Sequence, residues 1–105
     1  MISGQMSNSL SGRILIVDDD ESISSGLEAL LGDDWEVRTA ATGRTAIVAF
    51  GEFSPDVVLL DVMLPDTTGI ELLHQFKMYA ESTAVIMMSG SGTLDRVIES
   101  MKLGA

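Results

Sequence analysis

The sequence predicts an α/β domain, a parallel β-sheet with helices on both faces and therefore three layers. Two observations predict it. Short apolar runs of about five residues alternate with longer stretches whose apolar residues recur at helical spacing, in the order βαβαβαβα. Strands alternating with helices in this way pair in parallel through right-handed crossovers. The second observation is length, since 105 residues can build one core but not two.

The elements follow in order. Residues 1–12, MISGQMSNSLSG, are polar, rich in serine and glycine and without periodicity, and are expected to be a flexible tail. The domain runs over residues 13–105. RILIV (13–17) is the first strand, and Ile23, Leu27, Leu30 and Leu31 then stripe a helix. WEVRTA (35–40) alternates as a strand does, with Trp35 a partly buried edge. Thr42 offers an N-cap for a helix carrying Ala46, Ile47 and Phe50 on one face. DVVLL (56–60) is a strand buried on both faces. Thr68 caps a helix that buries Ile70, Leu73 and Phe76 or the stem of Lys77. AVIMM (84–88) is the fourth strand, and Leu94, Val97, Ile98 and Met101 stripe a last helix ending at Gly104. The seven methionines are read as core filler.

Composition excludes several classes of function. Hydrophobic residues at 46% and charged residues at 21% describe a globular domain. No apolar run approaches the roughly 18 residues of a membrane helix, and the start lacks the apolar core of a secretory signal, so a cytoplasmic location is expected. The absence of cysteine removes disulfides, thiolate catalysis and the commonest zinc sites. His74, the one histidine, lies mid-helix and reads as part of a solvated face. A net charge of −10 argues against direct nucleic-acid binding by this segment. A metal here should be hard and oxygen-seeking, magnesium or calcium.

In such sheets the site lies beyond the carboxyl ends of the strands. Strand one ends in Asp18, Asp19 and Asp20, strand three in Asp61 and strand four in Ser89. The flavodoxin-like order 2-1-3-4 brings these ends to one rim. Crowded carboxylates must take up protons or share a cation, and magnesium completed by a phosphate suits oxygen ligands of modest number. Such a pocket suits phosphoryl transfer, with a carboxylate, Asp61, as nucleophile. Each residue alone also has an ordinary reading. The aspartates 18–20 can cap a helix, Asp61 can begin a turn before Pro65, and Ser89 can belong to a loop or cap. Their coincidence at three strand ends carries the inference.

ILIVDDDESI, DVVLLDVMLPDTTGIELL and VIMMSGSGTLDRVIESMKLGA together resemble the receiver domain of two-component response regulators, over nearly all of residues 13–105. The last segment is most similar to receivers of nitrogen-control-type transcription activators that work with an alternative sigma factor. The resemblance implies that Asp61 is phosphorylated by a sensor histidine kinase. It implies that Asp18 and Asp19 hold Mg2+ with Asp61 and the backbone carbonyl of Met63, Asp18 mainly through water. Ser89 matches the switch hydroxyl, and Pro65 and Gly69 the turn into the third helix. Family members continue after KLGA with a fifth strand, a phosphoryl-pairing lysine, a switch aromatic and a fifth helix, whereas this sequence stops at Ala105. The expectation is a C-terminally incomplete receiver with no output domain, strand four as an open edge, and a tendency to homodimerise there.

The implied function is that of a phosphoacceptor switch rather than an enzyme, with at most self-catalysed phosphorylation and dephosphorylation. Two other readings stand beside it. One is a phosphate-independent interaction module that keeps the acidic pocket. The other is a haloacid-dehalogenase-like phosphohydrolase with Asp18 as nucleophile and Asp20 as acid/base, opposed by the lack of a lysine outside the helices, where Lys77 and Lys102 fall.

Overall fold

A computed structural model describes residues 12–88. Strands β1 (Arg13–Val17), β2 (Glu36–Ala40), β3 (Val57–Asp61) and β4 (Ala84–Met88) alternate with helices α1 (Glu21–Leu31), α2 (Gly43–Phe53) and α3 (Gly69–Tyr79). The sheet they form is parallel throughout, in the order β2-β1-β3-β4. The expected tail up to Ser11, Ser89 and the last helix with Leu94, Val97, Ile98 and Met101 lie outside the described residues. Among the described residues no helix is long and apolar enough to cross a membrane.

β1 and β3 are central because both their faces are apolar. Ile14 to Val17 and Val58 to Leu60 are fully buried. Successive side chains of a strand point to opposite faces, so each strand feeds two cores. Leu15, Val17, Val58 and Leu60 meet Ala46, Ala49 and Phe50 of α2 and Leu72 and Phe76 of α3. Ile14, Ile16 and Leu59 meet Leu27 and Leu31 of α1, with Trp35 and Met88. Among the described residues one helix therefore covers one face and two cover the other, giving the three layers. Phe50 and Phe76 stack at 4.4 Å between centroids and 4° between planes, which couples α2 to α3.

The helix starts follow the caps read from sequence. Thr42 and Thr45 form a reciprocal capping box on α2, and the Thr68 hydroxyl accepts from the Glu71 N–H of α3 at 3.3 Å. α2 ends on Ser54 in the left-handed region at φ 51°, followed by Pro55, a conformation that stops a helix sharply.

Several packing expectations are corrected. α3 buries Leu72 and Phe76 and leaves Leu73 half-buried, whereas Ile70, expected inside, is 56% exposed. The rotation of α3 is set by Gly69, which lies so close to the Asp61 carbonyl and the Val62 backbone that a Cβ there would clash. With Gly69 facing the sheet, positions 72, 73 and 76 follow it inward and position 70 turns about 100° away. Leu30 is exposed, because α1 presents Ser24, Leu27 and Leu31 to the sheet. Lys77 is exposed too, its ammonium donating to the carbonyls of Glu81 and Thr83 at the far end of α3. Met63 and Met78 stand in solvent at 67% and 84% exposure, so methionine is not uniformly core filler, although Met88 is buried. Trp35 sits just before β2 and packs into the α1-side core rather than at an edge.

This rotation makes a direct prediction. Leu72→Ala should cost about 2–5 kcal/mol and Ile70→Ala no more than about 0.5 kcal/mol, read from midpoints of urea unfolding.

Candidate functional site

The carboxyl ends of β1 and β3 lie side by side because Val17 pairs with Leu60. The next residue on each strand is therefore an aspartate at the same level, Asp18 against Asp61. One carboxylate oxygen from each of Asp18, Asp19 and Asp61 lies within 4.8 Å of the other two. Asp18 is buried, Asp61 half-buried and Asp19 exposed, so the group opens from the sheet edge to solvent.

Local hydrogen bonds fix these side chains. The Asp18 backbone N–H donates to the Ala40 carbonyl at 3.0 Å, and its carboxylate accepts from the Asp20 N–H at 2.9 Å. The Ser24 hydroxyl donates to the Asp18 carbonyl at 3.4 Å, tying the strand end to α1. Asp61 Oδ1 accepts from the Met63 N–H at 3.2 Å. The loop after β3 is held by the Val62 N–H on the Met88 carbonyl, the Gly69 N–H on the Val62 carbonyl and a bridge between Met63 and Thr68.

Electrostatically the rim is frustrated. Burial raises the Asp18 carboxyl above its ordinary value, opposed by the Asp20 N–H and reinforced by the negative charges of Asp61, Asp19 and Asp20. Among the described residues the ion pairs are Arg13 with Glu36 and Arg38 with Glu52, and neither reaches the rim. Three carboxylates that no cation pairs with among the described residues make a site that a hard divalent cation would relieve.

Asp20, the third aspartate of the run, points elsewhere. Its carboxylate accepts from the Ser22 N–H at 2.9 Å as the N-cap of α1 and is not one of the three that converge. Ser89 lies outside the described residues.

The sequence reading missed Asp66. Both of its oxygens reach across to the start of α2, Oδ1 accepting from the Gly43 N–H at 2.7 Å and Oδ2 from the Arg44 N–H at 3.0 Å. These two bonds lower its pKa from 3.8. No local pattern announces such a contact, because donor and acceptor lie on different βα units.

Residues 14–105 match the response regulator receiver domain. The chain belongs to that family. It is 38% identical over 94 residues to the sporulation initiation phosphotransferase F of Bacillus subtilis, covering 89% of this chain and 76% of that one. To the regulatory protein AtoC of Escherichia coli it is 34% identical over 94 residues, 89% of this chain but 20% of the relative. The regulatory protein LuxO of Vibrio cholerae is likewise matched over 20% of its length, so the chain spans about a fifth of these two regulators. Among solved structures, a CheY-like receiver from Methanospirillum hungatei superposes with a TM-score of 0.72 at 33% identity, over 89% of this chain and 75% of that one. NtrX from Brucella abortus gives 0.74 at 30% identity, over 91% of this chain and 22% of the other. Receiver domains are in general phosphoacceptors rather than enzymes, bind Mg2+ at an acidic aspartate pocket and interact with histidine kinases; this receiver has the aspartate cluster.

Two predictions follow from the carboxylates. The folded receiver holds a proton on Asp18 more tightly than the unfolded chain does, so this group costs stability as pH rises above 3.8 through its folded value. Asp18→Asn should therefore raise the metal-free melting temperature at pH 7. Asp66 has the opposite sign, since its lowered pKa stabilises the fold above 3.8 and that contribution is lost as pH falls through the folded value. The difference in melting temperature between wild type and Asp66→Asn should be constant near neutrality and shrink towards zero in acid.

Proposed function

We propose that this receiver accepts a phosphoryl group on Asp61 from the phosphohistidine of a sensor kinase, with Mg2+ held by Asp19, Asp61 and the Met63 carbonyl and by Asp18 through water. The observation that carries the reading is the convergence of Asp18, Asp19 and Asp61 to within 4.8 Å, at a rim that none of the ion pairs among the described residues reaches.

The chemistry follows from the arrangement. A carboxylate oxygen of Asp61 attacks phosphorus as the phosphorus–nitrogen bond breaks, and the nitrogen keeps the electron pair and takes up a proton. Asp61 is half-buried at the open end of a rigid strand, so its oxygen is presented to a donor while its partner oxygen is steadied by the Met63 N–H. The bound cation supplies charge that neutralises the phosphoryl oxygens. Asp18, buried beneath and fixed by the Asp20 N–H, would reach the metal through water. Ser89, one residue beyond the end of β4, is proposed as the hydroxyl that turns towards the phosphoryl group.

In this reading the protein is a substrate and switch whose turnover is limited to its own phosphorylation and dephosphorylation, working in the cytoplasm. Residues 13–105 are proposed as the receiver unit and residues 1–12 as a leading tail. Several relatives are named as regulatory or transcriptional regulatory proteins, which supports an output in transcription carried by a separate domain. Pairing through β4 with a second copy is the proposed mode of any homodimer, since β4 has a neighbour on one side only among the described residues.

Incubation with acetyl phosphate and Mg2+ should add the mass of one phosphoryl group to wild type, and Asp61→Asn should abolish it. Asp19→Asn should slow labelling by at least about tenfold at fixed Mg2+. Labelling that survives in Asp61→Asn and maps to Asp18 would overturn the assignment, and partner binding indifferent to both label and substitution would favour a phosphate-independent module.

A further inference from the structure

The loop from Val62 to Thr68 begins at the proposed phosphoacceptor and supplies the Met63 carbonyl, yet Met63 itself is 67% exposed and contributes little packing. Two anchors hold the rest of the loop. Leu64 is buried in the α2–α3 core, with its N–H on the Thr67 carbonyl at 3.1 Å. Asp66 grips the first turn of α2 with both oxygens, at 2.7 and 3.0 Å.

The second anchor is built rather than incidental. Gly43 presents no side chain, and a Cβ there would strike the Thr67 methyl and come within 3.2 Å of Asp66 Oδ1, so the glycine makes room for the carboxylate. α2 already has its own cap in the Thr42–Thr45 box, which satisfies the Thr45 N–H. Asp66 takes the two N–H groups the box leaves free, at the helix end where the dipole favours a negative charge. The helix would still be capped without Asp66, but the loop would lose its side-chain bonds to α2, the other one it makes to a helix among the described residues being Thr68 to α3, the helix it leads into.

We propose that Asp66 is a positioning residue for the metal and phosphoryl site: by tethering the loop after β3 to the start of α2, it holds the Met63 carbonyl and the Asp61 carboxylate in register for the cation. The inference rests on the reading of Met63 and Asp61 as ligands given above. It also implies that a change at Asp61 is felt at α2, because the acceptor and the tether stand five residues apart at the start and in the middle of one short connection.

The test compares Asp66→Ala with Thr42→Ala in the 105-residue chain, since both weaken the start of α2 but only the first releases the loop. Mg2+ affinity is read from the Mg2+-dependent rise in melting temperature at pH 7, and amide hydrogen exchange of Met63, Leu64 and Gly69 is read without metal. Asp66→Ala should weaken Mg2+ by about tenfold, the scale of losing a group that orients a ligand, and Thr42→Ala should leave the affinity within about twofold of wild type. Exchange at the three loop amides should speed up in Asp66→Ala and not in Thr42→Ala. Asp66→Asn, which keeps one neutral acceptor, should fall between wild type and alanine and serves if the alanine variant does not fold. Equal effects of Asp66 and Thr42 substitutions on both readouts, or a wild-type Mg2+ response in Asp66→Ala and Asp66→Asn, would overturn the proposal. If wild type itself shows no Mg2+ response while loop exchange still follows Asp66, the ligand assignment fails and the tether stands.

Discussion

The parallel pairing of β1 with β3 is the constraint on which the rest depends. Hydrogen bonding in register from Ile14–Val57 to Val17–Leu60 brings two strand ends to one level, and both strands continue into aspartate. That register is hard to change. A slip of one residue would turn Leu15 and Val17, or Leu59, to the wrong core, and each fully buried side chain of this size contributes roughly 1.5–3 kcal/mol. The apolar interior thus fixes the spacing of carboxylates that, taken alone, would repel one another.

Stability and chemistry are accordingly separated along the same strands. The amino ends are tied down by relaxed contacts. The Arg13 N–H donates to Asp56 at 2.9 Å, and its guanidinium binds the Phe53 carbonyl and lies over the Phe53 ring. The carboxyl ends carry the crowded charge. A fold that is rigid below can hold a repulsive cluster above without opening, which is what the proposed cation site would require.

Much of this was legible in the sequence because the signals are local. Three strands were readable as short apolar runs and β2 from its alternation, all within one residue of their observed bounds. Thr42 and Thr68 announced their helices, and topology brought the aspartates after the first strand to Asp61, while the choice of Asp18 and Asp19 among them came from the resemblance. What could not be read depends on contacts between distant segments. The rotation of α3 is decided by the approach of Gly69 to Asp61 and Val62, so the choice between Ile70 and Leu72 as the buried residue was not contained in the helix pattern, which tolerates both. Three adjacent aspartates do not say which of them caps, and the backbone turn after β1 gives that task to Asp20. Asp66 carried no signal of its own, because its partners stand 22 and 23 residues away.

Asp18 and Asp66 show how one chain places the same side chain in opposite energetic states. Asp66 is exposed, meets two backbone donors at a positive helix end and holds its charge more readily than in water. Asp18 is buried, meets one donor and three negative neighbours, and holds its charge less readily. The difference lies in geometry, since each carboxylate sits in a loop between a strand and a helix. At β1 the donors of the following helix are taken by Asp20, leaving Asp18 only the Asp20 N–H, whereas the loop after β3 is long enough to reach the neighbouring helix. The unrelieved carboxylate is therefore the one beside Asp61, and a cation arriving there gains from a deficit that the fold satisfies at Asp66.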